Sequence, residues 1–113
     1  MDDFLLVFKN CDEDFSKITP EQLQQRMGNY RGWMEKLMAQ GRYKGGAALQ
    51  PTSGRLVKDP STVLTDGPFL ESKEIIGGYA LVAATGYDEA VEFVKDCPLL
   101  DHWEVEVRQL VKN

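Results

Sequence analysis

Phe4-Leu5-Leu6-Val7-Phe8 is apolar at every position. A strand wet on one face alternates apolar with polar, so a run apolar on both faces predicts a strand covered on both sides. A second run, Ile75 to Ala84, has the same two-sided character and is broken by Gly77 and Gly78. It predicts a central strand. The last apolar segment behaves differently. Trp103, Val105 and Val107 alternate with Glu104, Glu106 and Arg108, which predicts a strand over Trp103 to Leu110 with one apolar and one charged face.

Between these runs the period changes to that of a helix. Thr19, Pro20 and Gln22 fit an N-cap, a first helical residue and a capping box, with Ile18 and Leu23 as a hydrophobic staple. Leu23, Met27, Tyr30, Met34 and Leu37 then recur at helical spacing and predict one buried stripe. Gly41 is the expected stop. Gly28 and Gly32 each cost about 1 kcal/mol relative to alanine. They mark either a close backbone approach or a tolerated weak helix. A second helix is predicted from Tyr87 to Asp96, with Asp88 and Glu89 in its first turn, Ala90, Phe93, Val94 and Cys97 facing inward, and Pro98 at its end. Asn10 to Phe15 is polar and reads as a loop.

Tyr43 to Leu49 reads as a strand weakened by Gly45 and Gly46. Pro51-Thr52-Ser53-Gly54 is a turn. Arg55–Lys58 and Thr62–Thr65 flank Asp59-Pro60-Ser61 as a small hairpin. The order is therefore βαββαβ with an inserted β-hairpin, the ferredoxin-like α+β pattern. Two helices cover one face of such a sheet. The other apolar face needs a cover, and a second copy packed sheet to sheet supplies it, which predicts a homodimer.

Length and charge narrow the function classes. The chain has 113 residues, the size of one domain, and 42% of them are apolar, enough for a core. No run approaches the roughly 18–20 apolar residues of a membrane span, and the Met1-Asp2-Asp3 start is acidic where a secretory leader is basic. A cytoplasmic protein without membrane partners is expected, with Cys11 and Cys97 as free thiols. The net charge of −5 argues against nucleic acid. No cofactor or metal is expected: one histidine and two separated cysteines make no zinc pattern, and Asp12-Glu13-Asp14 lacks a calcium-loop pattern. The single histidine, His102, follows Asp101. Adjacent strand residues point to opposite faces, so that pair is not preassembled.

The stretch Thr65-Asp66-Gly67-Pro68-Phe69-Leu70-Glu71-Ser72-Lys73-Glu74 carries the most candidate chemistry. It reads as a turn in which Asp66 caps the backbone and Phe69 fills the core, or as the rim of a pocket. In extended chain Glu71 and Lys73 share a side. Neighbouring carboxylates can have their pKa values pushed apart, which suits acid/base work. Tyr30 and Tyr79 are the candidate pocket walls. Tyr30 is a polar group on an apolar stripe, and Tyr79 follows two glycines that leave room beside the strand. Glu104, Glu106 and Arg108 form a charged face that is either solvated or turned into a dimer interior, where Arg108 would meet a ligand.

This stretch and the "IIGGYALV" after it resemble the signature of the YCII-related family, in the branch named for its Asp-Gly-Pro-Phe motif. "GGAALQP", "DEAVEFV" and "WEVEVRQL" resemble that family as well. The resemblance spans nearly the whole chain. It implies a ferredoxin-like α+β domain that dimerises into an α/β barrel, with a pocket suggested to be an active site. It also implies association of some members with extracytoplasmic-function sigma factors. One branch is described with a histidine–aspartate acid/base pair. This chain has no histidine in its first helix and carries Tyr30 where that histidine is expected. The resemblance marks Asp66, Phe69, Glu71, Lys73 and Glu74 as motif positions.

The reading is a small dimeric domain that binds an unidentified small molecule, with acid/base chemistry of lyase or isomerase type. Asp66 and Glu71 are the catalytic candidates. Tyr30, Phe69, Lys73, Glu74, Tyr79 and Arg108 are the ligand-binding candidates. The alternative is a non-catalytic regulatory or interaction module serving a sigma factor.

Overall fold

Four antiparallel strands form the main sheet of the computed structural model, which describes residues 1–12, 15–50, 53–64 and 76–112. In chain order the elements are β1 (Asp2–Lys9), α1 (Pro20–Ala39), β2 (Tyr43–Ala48), β3 (Leu56–Asp59), β4 (Thr62–Leu64), β5 (Ile76–Ala84), α2 (Tyr87–Lys95) and β6 (Glu104–Gln109). Short 3-10 turns occupy Phe15–Lys17 and Pro98–Asp101. The sheet order is β2-β5-β1-β6, and β3-β4 form a separate two-stranded hairpin. The two apolar runs are the two central strands. This is the ferredoxin-like α+β arrangement, with both helices on one face of the sheet.

Register decides which residues meet the helices. Phe4, Leu6 and Phe8 of β1 stand opposite Val82, Ala80 and Gly78 of β5. They also stand opposite Gln109, Val107 and Val105 of β6. Phe4, Leu6, Ala80 and Val82 are fully buried with Trp33 and Leu37 of α1 and Ala90 and Val94 of α2. Each large apolar side chain so buried contributes about 1.5–3 kcal/mol. Cys97 belongs to this core, where burial pushes its thiol up to about 11 and keeps it neutral.

Local signals set the helix ends. Thr19 caps α1: its Oγ1 accepts from the Gln22 N–H at 3.1 Å, and the Gln22 side chain accepts from the Thr19 N–H at 3.0 Å. At the other end Gly41 adopts φ 69°, the Arg42 N–H donates to the Leu37 carbonyl at 2.8 Å, and the Gly41 N–H donates to that of Met38 at 3.0 Å. That pair of bonds satisfies carbonyls the helix leaves open. The hairpin turn is closed by Asp59, whose Oδ1 accepts from the Ser61 N–H and hydroxyl, each at 2.9 Å.

The structure corrects the expected stripe on α1. Trp33 and Leu37 are buried, but Leu23 and Met27 are 50% and 56% exposed. The N-terminal half of the helix stands off the sheet and leaves a cavity beneath it. Of the two readings of Gly28 and Gly32, the structure supports the tolerated weak helix, since a Cβ at either would meet nothing within 4 Å.

Candidate functional site

The cavity lies between α1 and the β2–β5 edge of the sheet and encloses about 500 Å³. Its roof is one face of α1. Leu23, Arg26, Met27, Tyr30, Arg31 and Met34 line it and fall within an arc of about 140° on the helix. Arg26 and Arg31 mark the two ends of that arc. The floor is built of small residues, Gly46, Ala48 and Gly78, and the inner end is closed by Phe8, Leu99 and Trp103.

Backbone geometry explains the small floor. The β1–β5 register shifts between Phe8 and Lys9, which pair with Gly78 and Ile76. Gly77 is the extra residue of this bulge, and bulges re-aim side-chain positions toward one face. The Trp103 indole reaches from the start of β6 across the end of β1 and lies on Gly77, where a Cβ would sit 2.9 Å from Cζ2 and closer still to Cη2 and Cζ3. A Cβ on Gly46 would come within 2.6 Å of the Tyr79 carbonyl oxygen, and one on Gly78 within 2.8 Å of that of Ala47. Larger residues at these positions would push the strands apart.

Two hydroxyls meet in this apolar space. Tyr30 packs edge-on against Phe8, with ring centroids 6.1 Å apart, and beside Trp33 at 5.5 Å. The Tyr43 side chain is its neighbour there, and the Tyr43 hydroxyl lies over Gly46. Burial, followed by the neighbouring Tyr43 and Cys97, pushes the Tyr30 phenol above the ordinary tyrosine value. Tyr30 is therefore a persistent neutral donor. Each of the two neighbouring hydroxyls carries one proton that it can donate to a third group.

The structure separates residues that the sequence grouped. Tyr30 lines the cavity on the helix side. Tyr79 pairs with Val7 and Ala47 on the opposite face and is 41% exposed. The two tyrosines thus do not share a pocket wall within one subunit. Arg108 is also on the open face: Glu106 accepts from Lys9 at 2.8 Å and from Arg108 at 3.3 Å. The candidates Asp66, Phe69, Glu71, Lys73 and Glu74 lie outside the described residues, as do Glu13, Asp14, Pro51 and Thr52. The chain re-enters description at Ile76, one residue before the cavity-lining Gly77.

Sequence reasoning missed two parts of the site and one pairing outside it. Tyr43 was read only as the start of a strand, and its partnership with Tyr30 depends on the shift between Tyr43 and Gly45 in the β2–β5 register. Arg26 and Arg31 flank the helix stripe and carried no reading in the sequence. His102 pairs with Asp12 rather than its neighbour Asp101: Nδ1 lies 3.2 Å from Asp12 Oδ1, and the Asp12 N–H donates to the His102 carbonyl at 3.0 Å. Helical spacing around Tyr30 could have pointed to the arginines. Nothing local pointed to Asp12, 90 residues away.

A ferredoxin-like sheet with an apolar cavity under its first helix defines the class of domain. The sequence matches the YCII-related domain over residues 3–112, and the chain belongs to that family. Among solved structures it is similar to the 5-chloro-2-hydroxyhydroquinone dehydrochlorinase TftG from Burkholderia phenoliruptrix AC1100, in complex with 2,5-dihydroxybenzoquinone. The TM-score is 0.51 at 20% identity, covering 98% of this chain and 95% of that one. At that identity the likeness speaks to the fold. A comparison with curated proteins gives no match.

Proposed function

We propose that the cavity under α1 binds a small molecule and supports acid/base chemistry of lyase or isomerase type. The observation that carries this is the pair of neighbouring hydroxyls, Tyr30 and Tyr43, in a mostly apolar space of about 500 Å³ whose lining also includes Arg26 and Arg31. Such a donor in a low-dielectric site stabilises oxygen charge that develops on a ligand. Tyr30 holds its proton too firmly to act as the base. The proposed base is Asp66 or Glu71, from the segment that joins β4 to β5 and leads into the cavity wall. A C–H proton would pass to that carboxylate while charge builds on the ligand oxygen facing the phenols. Lys73 would balance the carboxylates, with Phe69 and Glu74 at the rim. The name of the similarly folded TftG, a dehydrochlorinase, supports the elimination-type reading.

A second copy is the proposed cover of the open sheet face. Leu5 and Val7 are half-buried there, and Tyr79 is exposed. Tyr79 and Arg108 serve that face in this reading. The proposed location is the cytoplasm, which two unpaired cysteines support. No described helix is long and apolar enough to cross a membrane.

The test is a thermal-shift screen of small phenols, enols and carbonyl compounds, since a ligand of the folded state raises stability by mass action. Tyr30→Phe, Asp66→Asn and Lys73→Ala should each weaken binding or turnover more than tenfold in a folded protein. Tenfold is about 1.4 kcal/mol, within reach of one charge-assisted hydrogen bond. A ligand bound equally by all three variants would remove the site from this cavity. Binding of a sigma factor with no small-molecule response would favour the regulatory alternative.

A further inference from the structure

We propose that the N-terminal half of α1, residues 20–27, is a lid that bends at Gly28 and Gly32 and closes Leu23 and Met27 onto an apolar ligand in the cavity. The inference rests on the cavity reading above and adds how the site opens and shuts.

The two halves of α1 are held unequally. In the C-terminal half Trp33 and Leu37 are buried in the core, and Trp33 Nε1 donates to the Phe93 carbonyl at 2.8 Å, which pins that half to α2. From Pro20 to Met27 no side chain is buried. Leu23 and Met27 line the cavity yet stay exposed at its edge. A segment with so few buried apolar contacts opens at low free energy. The Thr19 capping box still holds its first turn, so the half moves as one piece.

The glycines lie where such a bend needs them. Gly28 and Gly32 are about one turn apart, roughly 130° and 170° round the helix from the middle of the lining arc. Both are exposed, and a Cβ at either would meet nothing within 4 Å, so packing does not require them. A helix that curves toward the core lengthens the hydrogen bonds on its outer side, where carbonyls tilt to water. Glycine on that side leaves the backbone unshielded and widens its permitted angles. The small floor of Gly46, Ala48 and Gly78 offers Leu23 and Met27 little to pack against. An apolar ligand supplies the body on which they close. Its contacts with those two side chains exist only in the closed form, and that difference shifts the equilibrium. The flexible thioether of Met27 adapts to bodies of different outline.

Hydrogen exchange read by mass spectrometry on the full chain tests the lid, with uncharged, fluorescent N-phenyl-1-naphthylamine as the ligand. In the free protein the amides of residues 24–28 should exchange about tenfold or more faster than those of residues 34–39. Saturating probe should protect the first set at least about fivefold more than the second. Gly28→Ala/Gly32→Ala should slow both entry and release of the probe at least about threefold in stopped-flow fluorescence. Leu23→Ser/Met27→Ser changes two exposed positions and should weaken the probe at least about fivefold in a folded protein. Equal exchange along α1 in the free protein, or probe binding without selective protection of residues 24–28, overturns the lid and leaves the cavity reading standing. Unchanged probe kinetics in the alanine variant overturn the hinge. Unchanged affinity in the serine variant overturns closure onto the ligand. If the probe does not bind at all, this inference fails together with the cavity reading.

Discussion

Adding one methyl group at Gly77 should destabilise the protein, and adding one at Gly28 should not. At Gly77 the new Cβ would sit 2.9 Å from Cζ2 of Trp103 and closer to two other ring carbons. The obstacle is a rigid indole, not the end of a flexible chain, so ring or strand must move. Overpacking of this kind costs about 1–3 kcal/mol. Alanine recovers about 0.4–1 kcal/mol by restricting the unfolded chain, which leaves a net loss of about 1–2 kcal/mol. For a domain near this size each kcal/mol moves the midpoint about 4–8 °C, so Gly77→Ala should lower it by about 5–15 °C. Gly28 lies within α1, and its added Cβ would meet nothing within 4 Å. Helix propensity then acts alone, and Gly28→Ala should gain about 0.5–1 kcal/mol. Thermal unfolding by circular dichroism reads both, and urea midpoints at unchanged slope confirm that stability alone has moved. The near-ultraviolet signal should change in Gly77→Ala as the indole shifts. Equal midpoints for Gly77→Ala and the parent protein would show that Trp103 does not lie on the bulge.

Acid stability should depend on the open face. Lys9 first, and then Arg108, hold the Glu106 carboxyl below the ordinary glutamate value of 4.5. A depressed value stabilises above the unfolded pKa and is lost as pH falls through the folded one. The advantage of the parent protein over Glu106→Gln should therefore be full above about pH 5 and shrink below 4.5; urea midpoints that keep a constant gap from pH 7 to 3 would contradict the pairing. The second copy proposed for the open face predicts a dimer at micromolar concentration, and sedimentation as a monomer would refute it. Leu5→Asp or Leu81→Asp should dissociate the dimer, since a charge buried between two sheets has no partner there.

Much of the fold was legible because its signals are local. The cap at Thr19, the stop at Gly41 and the alternation of Trp103 to Arg108 each need only a few neighbouring residues. The apolar run from Ile75 to Ala84 marked β5 as a central strand, and the run in β1 lies beside it in the sheet. What failed depended on tertiary placement. Leu23 and Met27 have the spacing of core residues, but α1 stands off the sheet there, so they edge a cavity. Tyr79 follows Gly77 and Gly78 in sequence and was grouped with Tyr30. The strand pleat sends Tyr79 to one face while the bulge keeps both glycines on the other. The Tyr30–Tyr43 and His102–Asp12 pairs each join distant segments, and no short pattern encodes them. Bulges and long-range pairs leave no periodic trace, which is why the candidate site was read less completely than the fold around it.

The phenol pair bears on where the base must be. A neutral tyrosine whose pKa is raised by burial donates a hydrogen bond well and accepts a proton from carbon poorly. Among the described residues the cavity lining contains no carboxylate and no histidine. His102 turns Nδ1 to Asp12 and is not among the lining groups. In the proposed reaction the proton acceptor is Asp66 or Glu71, and the alternative is a basic group on the ligand itself. These origins have different consequences. With Asp66 as base, Asp66→Asn abolishes turnover while ligand binding survives, and Tyr30→Phe weakens both. With the ligand as its own base, Asp66→Asn leaves turnover intact and Tyr30→Phe alone impairs it. In the proposed reading the two roles are divided: the firmly protonated Tyr30 phenol donates to the ligand oxygen, and a carboxylate, Asp66 or Glu71, takes the proton.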